Sequence, residues 1–136
     1  NMQNASQKTR GEQSEGIILA HLLKMGFSVS LPFGNNQRYD LIVDNGKSLQ
    51  RAQCKTGRLV NGCVSFAVAS KNGFTGLRRN YKGEIDTFLV YCPQLDKIYR
   101  VPIEIATSNE MRIRVDPPKS FAPISTIRWA KEFELA

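Results

Sequence analysis

The chain has 136 residues, 41% of them hydrophobic and 23% charged, a composition that predicts one globular domain over residues 1–136. Nineteen Lys and Arg against twelve Asp and Glu give a formal net charge of +7, which favours a polyanionic partner such as nucleic acid. No apolar run approaches the roughly 18 residues that span a bilayer, and no basic amphipathic helix stands out, so we expect no membrane partner. The polar residues 1–16 contain no signal-peptide core. We therefore expect an intracellular location, cytoplasmic or nucleoid-associated.

The first predicted element is a helix. Residues 16–25 carry a broad apolar stripe at helical spacing, and Gly26 follows where a helix C-terminal glycine is expected. The polar residues before the stripe, including Glu12 and Glu15, are expected to form the first turns. Residues 27–31 then alternate as in a short strand.

A hairpin is predicted next. Residues 39–43 and 49–55 have the composition of strands, and the Asp-Asn-Gly sequence at 44–46 favours a tight turn between them. Residues 57–62 predict another turn, and residues 64–69 predict a third strand with apolar side chains at alternate positions.

The second half of the chain alternates between loops and strands. Residues 70–84 are basic, contain glycine and lack periodicity, so they predict a loop. Residues 87–91, 98–103 and 111–115 predict strands, and residues 127–133 predict a closing helix. The order indicates an α/β (α+β) sandwich built on one mixed sheet.

Symmetric pairing about Asn45-Gly46 places Asp40 opposite Arg51, with Gln53 as its diagonal neighbour. Alternation then divides the side chains of the hairpin between two faces. The core face receives Leu41, Val43, Ala52 and Cys54, and the other face receives Asp40, Arg51, Gln53 and Lys55. A carboxylate, an amide and an ammonium group would therefore project close together.

This set suits hydrolysis of a phosphodiester with the help of Mg²⁺, for which Mn²⁺ can substitute. Asp40 supplies a charged ligand, Gln53 a side-chain carbonyl, and the peptide carbonyl of Cys54 a third oxygen. Lys55 can orient or deprotonate the attacking water and offset negative charge in the transition state. Glu15 supports the metal site if the first helix packs beside the hairpin.

The same residues carry a family resemblance that covers nearly the whole chain. The sequence resembles the PD-(D/E)XK nuclease superfamily, particularly the branch with group I intron homing endonucleases and archaeal Holliday junction resolvases. The matching segments are Gly11-x-x-x-Glu15, Arg38-Tyr39-Asp40-Leu41-Ile42-Val43, Gln53-Cys54-Lys55-Thr56-Gly57, Glu84-Ile85-Asp86, Tyr99-x-Val101-Pro102 and Ile127-Arg128-Trp129-Ala130.

The resemblance implies a restriction-endonuclease-like core with a mixed four- to five-stranded sheet flanked by helices. It also implies divalent-metal catalysis and a homodimer or homotetramer acting on double-stranded DNA. The sequence departs from the family pattern at two positions. Tyr39 precedes Asp40 where the motif has proline, and Gln53 stands where the superfamily usually has Glu or Asp, which removes one negative charge from the metal site.

A basic segment with interspersed aromatic residues predicts the DNA-binding surface. Arg38 and Arg58 flank the proposed site in sequence. The expected DNA-binding residues are Arg38, Arg58, Lys71, Arg78, Arg79, Tyr81 and Lys82. A merely solvated loop is the alternative.

Together these patterns predict a metal-dependent endonuclease that hydrolyses duplex DNA, in the context of site-specific homing. A junction-resolving, structure-specific nuclease is the first alternative. The second is a DNA-binding module that keeps the fold but has impaired catalysis, because Gln53 is neutral.

Overall fold

The computed structural model describes residues 5–119 and 126–136. These residues contain one α-helix, ten strands and short 3₁₀ helices that include Ile103–Ile105 and Ala130–Glu132. The helix α1 spans Gln7–Lys24. The strands are β1 Ser28–Ser30, β2 Leu41–Asp44, β3 Leu49–Thr56, β4 Arg58–Val60, β5 Cys63–Ala67, β6 Ala69–Lys71, β7 Arg78–Asn80, β8 Thr87–Cys92, β9 Lys97–Pro102 and β10 Glu110–Arg114.

The predicted first helix is confirmed and is longer than its apolar stripe. Ser6 caps it, because its side-chain oxygen accepts a hydrogen bond from the Thr9 N–H at 3.2 Å. The helix ends before Gly26, which adopts φ +88° as expected for a glycine beyond a helix C-terminus. Ile18 and Leu22 are buried and attach this helix to the sheet.

The main sheet has five strands in the order β1-β2-β3-β8-β9, as the sequence predicts for a mixed sheet. Only the β3–β8 pairing within it is parallel; its other neighbours are antiparallel. Every residue of β8 is buried, since both faces of the sheet are covered at this strand. Leu89 and Tyr91 face α1, whereas Phe88 and Val90 face the opposite core.

The face of the sheet opposite α1 is covered by a second, three-stranded antiparallel sheet in the order β10-β5-β4. Its buried side chains, among them Val64, Phe66 and Ile113, form one core with those of β8 and β9. Gly57 permits the bend from β3 into this second sheet. A Cβ there would lie 2.7 Å from Val64 Cγ1 and 2.9 Å from Val90 Cγ1, so a side chain would force these strands apart.

The β2–β3 hairpin forms with a different register from the predicted one. Ile42, and not Asp40, lies opposite Arg51, and Leu41 lies opposite Ala52. The cause is a connection of four residues, 45–48, in which the Asn45 side chain accepts hydrogen bonds from two backbone N–H groups at 2.9 Å. The ladder ends at Leu41, and the Asp40 N–H also bonds the Ala52 carbonyl at 2.8 Å, so Asp40 lies beside Ala52 and not opposite Arg51.

Two predicted loops contain strands. The turn predicted at 57–62 includes β4, and the chain reverses only at Asn61 and Gly62, both with positive φ. The loop predicted at 70–84 was also wrong, because β6 and β7 pair as an antiparallel hairpin, here named the ribbon, residues 69–80. Residues 71–80 are all exposed, so this hairpin has no apolar alternation that a sequence pattern could reveal.

The closing helix predicted at 127–133 was wrong as well. Only Ala130–Glu132 turn, as a 3₁₀ helix; Trp129 before them is extended, and Phe133 after them stays in the right-handed helical region. Trp129 bridges to Arg114 and Glu134 bridges to Tyr99, so backbone pairing with β10 and β9 replaces helical hydrogen bonds. Within the described residues, no helix is both long enough and apolar enough to cross a membrane.

Candidate active site

Asp40 immediately precedes β2, at the level where β3 runs on past its β2 partner. Its N–H donates to the Ala52 carbonyl at 2.8 Å, and its Oδ2 accepts from the Cys54 N–H at 2.8 Å. The N–H and C=O of one strand residue point to the same side of the strand. The Cys54 carbonyl therefore faces the side on which Asp40 lies.

Glu15, on α1, approaches Asp40 from the helical side. Burial raises the pKa of Glu15, and the negative charge of Asp40 raises it further, followed by that of Glu12. Burial also raises the pKa of Asp40, although the Cys54 N–H and Lys55 oppose this shift. The negative charge of Asp40 thus acts on the partly buried Glu15, and a cation between the two carboxylates would relieve this repulsion.

Gln53 projects beside Asp40, and its two polar atoms have different surroundings. Its Nε2 donates to the backbone carbonyl of Arg38 at 2.6 Å, which ties β3 to the segment before Asp40. Among the described residues, none donates a hydrogen bond to Gln53 Oε1. The amide is thus oriented by its nitrogen, which leaves its oxygen available to a ligand.

Lys55 is held at the same end of β3 by a buried tyrosine. Its Nζ donates to the Tyr81 hydroxyl at 3.1 Å and lies 5.0 Å from the centre of that ring. Arg38 contacts the same ring, with its Cζ 4.0 Å from the centre. Tyr81 therefore lies between a cation of the hairpin and a cation of the segment that precedes it.

The donor set fits a hard divalent cation. Two carboxylates, Asp40 and Glu15, and two neutral oxygens, from Gln53 and the Cys54 backbone, are the oxygen ligands that Mg²⁺ and Mn²⁺ accept. In the part of the chain that the structure describes, no group of three or more His, Cys, Asp or Glu side chains forms a metal cluster. A cation here would rely on two acids, neutral oxygens and its own waters.

Comparison with known proteins identifies the family of this chain. The family model of the PD-(D/E)XK endonucleases matches residues 5–136. The chain belongs to the PD-(D/E)XK endonuclease family. A solved structure of a bacterial homing endonuclease, I-Ssp6803I, superposes with a TM-score of 0.76 at 21% identity and covers 96% of this chain and 89% of that chain. No curated protein matches the sequence.

Family membership confirms the resemblance and the fold class predicted from the sequence. The likeness to the homing endonuclease supports the fold alone, because the two sequences are only 21% identical. In this PD-(D/E)XK endonuclease, Asp40 immediately precedes β2, Gln53 and Lys55 lie on the neighbouring β3, and Glu15 of α1 is coupled electrostatically to Asp40. Asp40 is coupled electrostatically to both Glu15 and Lys55, while Gln53 bonds the backbone of Arg38 two residues before it. That these four side chains form one catalytic site stays a prediction.

The residues expected to bind DNA fall into two groups in this endonuclease. Arg58, Lys71, Arg78 and Lys82 are exposed. Arg38, by contrast, is engaged inside the protein. It forms an ion pair with Glu84 at 3.2 Å and donates to Ser70 Oγ at 2.8 Å and to the Asn80 carbonyl at 2.9 Å.

Arg79 and Tyr81, the other two residues expected to bind DNA, belong fully to neither group. Arg79 is exposed but pairs with Glu84 at 2.6 Å. Tyr81 is only 4% exposed, and its ring packs edge-on against Phe88, 5.6 Å between centres. Base stacking needs an open ring face, which the buried Tyr81 does not offer. Its geometry instead suits a role in positioning Lys55 and Arg38.

Sequence reasoning overlooked two side chains that position the site. Ser14 of α1 is buried and shares a 2.6 Å hydrogen bond with Thr56 at the end of β3, which fixes the helix that carries Glu15 against the strand that carries Lys55. Glu84 joins Arg38 to Arg79. The sequence does contain a signal for Ser14, because Ser14, Ile18 and Leu22 follow one another at intervals of four on one helix face.

Proposed function

We propose that this protein is a divalent-metal-dependent endonuclease that hydrolyses phosphodiester bonds in double-stranded DNA. The observation that carries the proposal is the convergence of Asp40, Glu15, Gln53 and Lys55 at the end of one hairpin, in a chain of the PD-(D/E)XK endonuclease family. Mg²⁺ is the expected cofactor and Mn²⁺ a substitute. When bound, the ion supplies Lewis-acid stabilisation of charge at the phosphate.

The chain's own residues set the geometry for this reaction. The Cys54 N–H holds Asp40 Oδ2 and leaves Oδ1 for a cation, while Glu15 adds a second negative charge. Lys55 Nζ, steadied by Tyr81, orients the attacking water and offsets the charge that accumulates on the phosphate oxygens. The water oxygen forms the new bond to phosphorus, the bond to the departing sugar oxygen breaks, and that oxygen takes up a proton.

Recognition of DNA is proposed to involve the exposed cations of the ribbon, Lys71 and Arg78, together with Lys82 and Arg58. A two-stranded ribbon is narrow enough to enter the major groove of B-DNA. Arg38 and Arg79 hold the base of the ribbon through Glu84, so their contribution is to fix its direction. Phe74, at the ribbon tip, is fully exposed and can contact a base or a sugar.

Site-specific homing is the biological context that we propose, and the protein would act inside the cell as a homodimer or homotetramer. A single site cuts one strand, and two symmetry-related copies present the same site to the two antiparallel strands of a duplex. Exposed apolar side chains, Leu31, Phe33 and Leu49, are available for contact between copies. Junction resolution would use the same chemistry on a branched substrate.

A catalytically impaired DNA-binding module is the second candidate, favoured by the engaged amide of Gln53 and by the small number of acids at the site, where the described residues form no larger acidic cluster. Incubation with supercoiled plasmid and Mg²⁺ or Mn²⁺ distinguishes the two functions. We expect nicked and linear products that EDTA, Asp40→Ala and Lys55→Ala each abolish. Binding without a metal-dependent product under either ion would support the impaired module.

Selection of cleaved sequences from a random library tests the biological context. A long recognised sequence would support homing. Indifference to sequence combined with a preference for four-way branches would support junction resolution instead.

A further inference from the structure

A groove begins at Lys55 and runs between the first turns of α1 and the start of β4. Its walls include Arg10 and Gly11 of α1, Arg58 of β4, and Gln94 of the turn between β8 and β9. Three of its lining residues, Arg10, Lys55 and Arg58, are cationic, and no carboxylate of the described residues lines it. The groove is therefore positively charged, and it reaches the proposed reaction centre at Cys54 and Lys55.

The two arginines of this groove have no side-chain partner within the described part of the protein. Elsewhere in the molecule, Arg38, Arg51 and Arg79 each pair with a carboxylate. Within residues 5–119 and 126–136, neither Arg10 nor Arg58 forms an ion pair or a side-chain hydrogen bond. Their guanidinium groups remain free to bind an anion from outside, and guanidinium suits phosphate because it offers paired donors.

Gly11 is a second, independent feature of the same groove. Glycine inside a helix is less stable than alanine by about 0.5–1 kcal/mol, so its presence calls for a reason. A Cβ at Gly11 would meet nothing within 4 Å, and its φ is not in the left-handed region. Contacts within the fold explain neither Gly11 nor Gly16, in contrast to Gly57, where Val64 and Val90 leave no space; of the two helix glycines, Gly11 is the one that lines the groove.

We propose that this groove holds the sugar–phosphate backbone of the DNA strand being cut. Arg10 and Arg58 bind the phosphates that follow the scissile one along the groove, and the bare backbone of Gly11 lets that strand approach the helix. The inference rests on the proposed function and adds the path of the strand past Lys55. It assigns to α1, beyond Glu15, a direct part in holding the substrate.

The test compares equal bulk at two glycines of the same helix. Gly11→Gln places a side chain in the groove, whereas Gly16→Gln places the same side chain on α1 outside it. Neither position has a neighbour within 4 Å, and glutamine favours helix, so both variants should resist urea at least as well as the wild type. A loss of DNA binding therefore cannot be attributed to misfolding.

Affinity for a fluorescein-labelled duplex, measured by anisotropy in EDTA, is the readout. We expect Gly11→Gln to weaken binding about tenfold, equivalent to ~1.4 kcal/mol, and Gly16→Gln to leave it unchanged. Arg10→Gln and Arg58→Gln should each reduce the slope of log K against log salt by about 0.9. Equal DNA affinities of the two glycine-to-glutamine variants, or unchanged salt slopes in the arginine variants, would contradict the proposal that this groove holds DNA.

The same experiment separates this inference from the proposed function. If the wild type neither binds nor cuts DNA, the endonuclease proposal fails. If the wild type binds and cuts while Gly11→Gln matches Gly16→Gln, the endonuclease proposal stands and the strand takes another path.

Discussion

The two hairpins of the molecule differ in how they are held. The β2–β3 hairpin lies inside the main sheet, between β1 and β8, and has apolar packing against α1. The ribbon pairs with no other described strand, and its residues 71–80 are all exposed. The first hairpin carries the proposed reaction centre and the second carries free cations. Chemistry needs fixed distances between reacting groups, whereas contact with DNA needs reach and charge.

Arg38 joins the two hairpins. Its carbonyl accepts from Gln53 of β3, while its guanidinium contacts Ser70, Glu84 and the backbone at Asn80. The direction of the ribbon is therefore set by the residue two positions before Asp40. We expect substitutions in the first hairpin to change the rate, those in the ribbon to change affinity, and those at Arg38 to affect both.

The largest expected effect is on catalysis by the first hairpin. Asp40→Asn removes the charge that binds the cation but keeps an oxygen for the Cys54 N–H. We expect the single-turnover cleavage rate to fall at least about 100-fold, with an unchanged melting temperature. The matched control is Asp44→Asn in the same hairpin, where the side chain accepts from the Gly46 N–H at 2.8 Å and asparagine can do likewise. Equal losses in both variants would argue against a special role for Asp40.

The next effect concerns the junction of the hairpins. Arg38→Met removes partly buried, charge-assisted hydrogen bonds and should lower the free energy of unfolding by about 2–3 kcal/mol. Arg79→Met removes the more exposed partner of the same Glu84 and should cost less than about 1 kcal/mol. Urea denaturation measures both values. If Arg79→Met lowered the free energy of unfolding more than Arg38→Met, the ribbon would be anchored by Arg79 of its own strand β7 and not by Arg38.

A smaller effect on stability is expected when two glutamines of β3, Gln53 and Gln50, are each replaced by glutamate. Gln53→Glu replaces the donor to the Arg38 carbonyl with an acceptor, so we expect a loss of about 1–2 kcal/mol in stability and no gain in cleavage. Gln50 instead accepts from Arg100 at 2.9 Å, so Gln50→Glu creates an ion pair worth up to about 1 kcal/mol. Faster cleavage by Gln53→Glu would show that the amide is an impairment.

The smallest effect is expected in the ribbon. Arg78→Ala with Arg79→Ala should reduce the slope of log K against log salt by about 0.9 for each phosphate that the variant no longer neutralises. Lys97→Ala with Lys131→Ala removes the same charge from another part of the surface and should leave the slope unchanged. A slope that falls equally in both double variants would indicate attraction by net charge alone.

Much of the first hairpin was predictable from the sequence, because its signals are local. Short segments of strand-like residues predicted β3, β8 and β9, and an apolar stripe predicted α1. The register was wrong by two residues because Asn45 closes a four-residue connection with its side chain. Composition alone does not show that the chain forms this four-residue connection in preference to a two-residue turn.

The ribbon and the C-terminal segment were not predictable, since distant contacts determine them. Arg38 reaches across 32 residues to Ser70 and across 42 to Asn80 to hold the ribbon. Trp129 and Glu134 extend because β10 and β9 offer them backbone partners. Periodicity indicates burial on one face of an element, so it is silent about strands that are exposed or that pair only through such contacts.

One measurement tests most directly whether the reaction is confined to the first hairpin. The single-turnover rate at saturating duplex and the dissociation constant in EDTA are determined for Lys55→Met and for Arg78→Ala with Arg79→Ala. We predict that Lys55→Met lowers the rate about 100-fold or more with only a small loss of affinity, while the ribbon variant binds more weakly than the wild type and cuts at the normal rate once saturated. A Lys55→Met protein that cuts normally when saturated would contradict the assignment of the chemistry to this hairpin.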